Sequence, residues 1–101
     1  MTIVSVVNAR YKRATLDEGL RVLHAVIEQT RARPGCISAE VAVDVNDPTQ
    51  VHIVERWESV EADTAYREWR RGEGLTPEAL RLADFRDGAS DVWVAALRSD
   101  I

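Results

Sequence analysis

Apolar residues recur along the chain in two rhythms, and each change of rhythm marks an element. Residues 2–11 are rich in Val and Ile, which predicts a strand. Thr2, Val4, Val6 and Asn8 fall on one face, and Ile3, Ser5, Val7, Ala9 and Tyr11 on the other. Both faces are apolar, so both need cover. Asn8 is the polar exception, and a buried amide needs partners. It reads either as a residue bonding nearby backbone at the strand's end or as a donor lining a cavity.

The rhythm then changes to that of a helix. Thr15-Leu16-Asp17-Glu18 has the form of a capping box, and the helix runs to about Arg33. Leu16, Leu20, Leu23 and Ile27 make its apolar stripe, flanked by Val22 and Val26 and bordered by His24. Pro34-Gly35 ends it.

Two strands follow around a turn at Asn46-Asp47-Pro48-Thr49. In the first, Cys36 to Val45, the file Ile37, Ala39, Val41, Val43 and Val45 opposes the more polar file. In the second, Val51 to Trp57, the file Val51, Ile53, Glu55 and Trp57 opposes His52, Val54 and Arg56. Glu55 stands in an apolar file and requires a donor if that file is buried. Ser59 is a natural cap for the next helix, whose Ala62, Ala65, Tyr66 and Trp69 share one face. Tyr66 needs a partner for its hydroxyl. Arg70-Arg71-Gly72-Glu73-Gly74 is a charged loop, and Thr76-Pro77-Glu78 opens a short helix with Leu80, Leu82 and Phe85 near it. Arg86-Asp87-Gly88 is a turn, and Asp91 to Arg98 is a last strand, apolar on both faces.

Strand–helix–strand, strand–helix–strand over residues 1–101 is one α+β domain with a split β-α-β antiparallel sheet, the ferredoxin-like fold. Its helices cover one face of the sheet. Leaving the other face wet would expose more than roughly the few hundred Å² that a soluble monomer tolerates. A homodimer packed sheet to sheet is the expected remedy.

Composition narrows the function classes. The net charge of −4 suggests neither a nucleic-acid surface nor an anionic-membrane one. The single cysteine, Cys36, excludes an internal disulfide, fits a reducing cytoplasm, and reads as a small buried apolar residue. One Cys with separated His24 and His52 does not make a zinc site. No basic-then-apolar leader is visible at the N-terminus, and no apolar run reaches the length of a membrane span.

Pro34-Gly35-Cys36 opening a strand, Asn46-Asp47-Pro48 in the turn and Glu55-Arg56-Trp57-Glu58-Ser59 before the second helix resemble the antibiotic biosynthesis monooxygenase domain, of the dimeric α+β barrel class. The resemblance covers nearly the whole chain and implies that fold and dimer. Some members oxidise phenolic polycyclic substrates or quinols with O₂, using neither metal nor flavin. Others degrade haem with an Asn, a Trp and a His. The resemblance carries Asn8 onto the family's strand-one Asn and Tyr66 onto the position of the Trp. The haem-ligand His would fall near Thr76, and no His is there.

The resemblance therefore implies a cofactor-independent monooxygenase acting on a small or polycyclic phenol or quinol. Asn8 would orient a substrate oxygen, and Tyr66 would pass a proton or donate to a carbonyl. Trp57 and Trp69 would wall the ring system, with either one facing the cavity. Arg56 would pair with the substrate anion, although alternation places it opposite Trp57. Two other readings keep the fold: a non-catalytic small-molecule binding or accessory protein, and a metal-free isomerase or cyclase. A pocket holding both Asn8 and Tyr66 would favour chemistry; one filled by Trp57, Trp69 and Phe85 would favour binding alone.

Overall fold

The strand Ile3–Arg10 (β1) enters the centre of a four-stranded antiparallel sheet with strand order β2-β3-β1-β4. The other strands are Cys36–Val43 (β2), Gln50–Trp57 (β3) and Asp91–Ala96 (β4). The helices are Leu16–Arg31 (α1), Val60–Arg71 (α2) and Pro77–Leu82 (α3), with a short 3₁₀ turn at Arg13–Thr15. This computed structural model describes residues 1–84 and 91–101. The expected turn at Arg86-Asp87-Gly88 and the expected packing of Phe85 lie outside the described residues.

Register decides which file meets the helices. Ile3, Ser5, Val7 and Ala9 stand beside Trp57, Glu55, Ile53 and Val51, and all eight face α1 and α2. Tyr11, Leu23, Ile27, Ala39, Val51, Ile53 and Leu82 form the larger core cluster; Ile3, Trp57 and Tyr66 form a second beneath α2. Of the two apolar files of β1, the odd one is therefore the inner face. The even file, Val4, Val6 and Asn8, lies on the reverse of the sheet with Arg56, Val54 and His52.

Local chemistry sets the joints. Asp44 accepts from the backbone N–H of Asn46 and Asp47, and Asp47 accepts from the backbone and hydroxyl of Thr49, which folds the β2–β3 turn. Ser59 caps α2 by accepting from the Ala62 N–H at 3.1 Å. Gly35 has φ of +81°, and a Cβ there would lie 2.5 Å from that of Ala62. Only glycine meets both demands, so it brings the start of β2 against α2.

Several expectations need correction. The capping box does not form: Thr15 ends a 3₁₀ turn instead of standing extended, and its hydroxyl is buried without a partner. Strand β2 ends at Val43, and Val45 is almost fully exposed in the turn. A register shift between Cys36 and Ser38 leaves Ile37 half exposed rather than in the inner file. In α2, Ala65 is exposed and Asp63 takes the buried position beside Tyr66. Strand β4, apolar on both faces as expected, is exposed on both in the single chain.

Candidate functional site

Three polar groupings are candidates, and the sheet separates the first from the other two. The first is a file across the reverse face. Asn8 Oδ1 lies 2.6 Å from His52 Nδ1, and Asn8 Nδ2 donates to Asp91 at 3.3 Å. Because Oδ1 only accepts, His52 carries its proton on Nδ1 in this contact. Arg56 is on the same face, exposed. Trp93 stands two residues along β4 from Asp91, opposite Val6 and half exposed.

The second grouping is buried between the sheet and α2. Glu55 and Ser5 stand side by side on β3 and β1, and Asp63 and Arg67 come down from α2 one turn apart. Arg67 Nη2 bonds both Glu55 Oε1 and, at 3.3 Å, Asp63 Oδ1. Ser5 donates to Asp63 at 2.7 Å, and the Trp57 indole donates to Glu55 at 3.2 Å. Two carboxylates thus share one guanidinium. Burial pushes the Glu55 carboxyl above its ordinary range, and Arg67 pulls against that shift. Burial and the Glu55 charge also push the neighbouring Cys36 thiol up. Glu55 is only 1% exposed, so the grouping reads as a structural knot.

The third grouping opens to solvent. A cleft of about 440 Å³ lies between the C-terminal ends of α1 and α2 and the loop that leads to α3. Gln29, Arg33, Trp69, Gly74, Leu75 and Thr76 line it. Gly74 lets the loop close on Trp69, since a Cβ there would meet the indole ring at 2.5 Å. The Arg33 guanidinium lies 4.0 Å from the centre of that ring and the Arg70 guanidinium 4.6 Å from it.

Behind Trp69, Arg70 fixes the floor. It donates to the Tyr66 hydroxyl, Gln29 Oε1, the carbonyls of Gly74 and Val26, and Thr30 Oγ1. The Thr30 hydroxyl donates to Val26, so its oxygen accepts from Tyr66 at 2.8 Å. Tyr66 is thereby satisfied on both sides and only 5% exposed.

The structure does not bring the sequence-derived residues into one pocket. Asn8 and Arg56 are on the reverse of the sheet; Tyr66, Trp57 and Trp69 are under or beside the helices. Trp57 packs on Tyr66 at 4.8 Å and is fully buried, so it walls no open space. Trp69 is the tryptophan at the cleft. Arg33, Gln29 and Arg70 were not singled out from sequence. Arg70, expected at the start of the charged loop, lies instead in the last turn of α2, one helical turn beyond Tyr66. Among the described residues no three His, Cys, Asp or Glu side chains gather as a metal would require.

Sheet order and helix placement define a ferredoxin-like α+β domain with a cleft at one end of its helical layer. Residues 2–75 match the model of the antibiotic biosynthesis monooxygenase family, and the chain belongs to that family. Among solved structures it is similar to a conserved protein from Methanosarcina mazei Go1, with a TM-score of 0.81 at 16% identity, over 97% of this chain and 94% of that one. It is similar to Rv0793 from Mycobacterium tuberculosis, with a TM-score of 0.78 at 18% identity, over 99% and 98%. A structure described as an antibiotic biosynthesis monooxygenase gives 0.79 at 19% identity, over 95% and 98%. At these identities the likeness establishes the fold alone. The sequence has no significant match among curated proteins.

Proposed function

We propose that the protein is a cofactor-independent monooxygenase that holds a small or polycyclic phenol or quinol in the Trp69 cleft and lets it react with O₂. The observation that carries the reading is the cleft itself: an aromatic wall with a guanidinium against it, at the end of a domain of this family. A phenolate is electron-rich enough to reduce O₂, so the protein's task is to bind it, favour its anion and limit water. For a substrate with a methylene para to the phenolic carbon, the balance is complete without a reductant. One oxygen atom becomes the new carbonyl, and the two methylene hydrogens leave with the other as water. Trp69 stacks the ring, and Tyr66 acts through Arg70 by holding the floor.

A non-catalytic binding role is the second reading, and one observation favours it. Tyr66 has no hydroxyl valence to spare, and all five N–H groups of Arg70 are in use. Among the described residues, the cleft then holds a ligand but lends it no free base apart from the exposed Glu73. An oxygen-electrode screen against quinols and anthrone-like phenols separates the two. Uptake of one O₂ per substrate, unchanged by chelator or added flavin, is the expected result. Tight binding without uptake establishes the second reading.

The partner in this proposal is a second copy of the chain. Val4, Val6, Val54, Trp93 and Ala95 are neighbours on the reverse face, and the polar file of His52, Asn8 and Asp91 borders them. That arrangement, an apolar centre with a polar edge, suits an isologous interface.

A further inference from the structure

We propose that the Trp69 cleft is selective for an aromatic anion, a carboxylate or phenolate, and that Arg33 is the residue that reads the charge. The inference rests on the cleft being the ligand site, as argued above. It comes from a contrast between two arginines that lie against the same indole.

Arg70 is spent. Its five N–H groups all have acceptors within the protein, so it offers a ligand nothing. Arg33 is the opposite case. Among the described residues its guanidinium forms no hydrogen bond and no ion pair, and its one contact of note is the Trp69 ring. Its Nε is buried without a partner. The terminal N–H groups of Arg33 have no partner among the described residues either, and these are the donors that an incoming anionic oxygen can reach.

The neighbours complete a donor set. Gln29 gives its Oε1 to Arg70, which leaves its NH₂ as a donor at the cleft. Thr76 makes no capping bond with its hydroxyl although it precedes α3. Trp69 and Leu75 supply apolar surface for a ring. Glu73 opposes an anion; it is exposed, where solvent and salt screen it. An aromatic ring bearing anionic oxygen matches this set, whereas a neutral ring leaves the guanidinium unanswered.

Calorimetric titration of the intact protein with naphthoate and with its neutral analogue naphthalenemethanol tests the inference. Naphthoate is expected to bind at least about tenfold more tightly, the worth of one charged hydrogen bond. Arg33→Met should remove that difference while leaving the neutral analogue within about twofold, and Arg33→Lys should restore part of it. Naphthol followed across its own ionisation shows whether a phenolate is read in the same way. Equal binding of acid and alcohol, or a preference that survives Arg33→Met, overturns charge selection. In that outcome the cleft still stands as the ligand site if Trp69→Ala abolishes binding of the neutral ring. Binding of neither probe overturns both.

Discussion

Arg67→Met is expected to cost the fold about 3–5 kcal/mol at neutral pH, the penalty for stranding buried charge. The substitution keeps most of the side chain's bulk and leaves Glu55 and Asp63 facing each other without a cation. Against a typical domain stability of about 5–15 kcal/mol this is a large fraction. The loss should also depend on pH, and its sign follows from Glu55. In the native protein that carboxyl is held above its ordinary value of 4.5 by burial, with Arg67 as the chief opposing influence. The folded state therefore keeps its proton to higher pH than the unfolded chain does. Stability from this group falls as pH rises through the interval between the two values. Removing Arg67 raises the folded value further, so the interval widens and the loss at neutral pH deepens. Urea unfolding near pH 5 and pH 7 measures it: the variant should approach wild type at the lower pH. Glu55→Gln keeps an acceptor for the Trp57 indole and leaves one carboxylate for one guanidinium, so it should cost far less. An Arg67→Met loss below about 1 kcal/mol, or one that does not change with pH, contradicts the shared-cation description.

Trp93→Glu is expected to convert the proposed dimer to monomer at micromolar concentration without unfolding it. Trp93 is half exposed on the edge strand β4, opposite Val6 on the apolar reverse face. Losing a buried tryptophan from an interface typically costs about 2 kcal/mol or more, some thirtyfold in affinity. In an isologous interface each substitution enters twice, and the two new carboxylates face an apolar surface. Light scattering with the far-ultraviolet dichroism spectrum reads both parts of the expectation. A wild-type protein that is already monomeric at that concentration overturns the proposed pairing; a variant that stays dimeric moves the interface elsewhere.

The strands and the second helix were legible because their patterns are local. Alternation in β1 and β3, Pro34-Gly35 at the helix end and the Ser59 cap all carry their own geometry. Glu55 was legible as a residue in need of a donor, and the sequence also held the answer, since Arg67 lies one turn beyond Asp63. What the pattern did not decide was which apolar file of β1 faces the helices. Both files are rich in Val and Ile, so Asn8 and Tyr66 looked able to share a pocket; the register puts the sheet between them. The buried Asp63 was missed because a charged residue on a helix reads as solvent-facing unless its partner is known. The cleft was harder still. Gln29 is in the last turn of α1 and Arg33 just beyond it, Trp69 is in the last turn of α2, and Thr76 precedes α3. Nothing local marks residues that meet across some forty positions of chain.

In the proposed reaction the substrate meets O₂ beside Trp69, on the helix side of the sheet. Oxygen consumption by Trp69→Ala and by Asn8→Ala, measured with the best substrate of the wild-type protein, separates the two faces of the sheet. Losing the stacking surface should lower kcat/KM at least about tenfold, whereas Asn8→Ala, altered only on the reverse face, should turn over close to the wild-type rate. A Trp69→Ala variant of wild-type activity beside an inactive Asn8→Ala variant would place the chemistry on the opposite face of the sheet, away from the cleft.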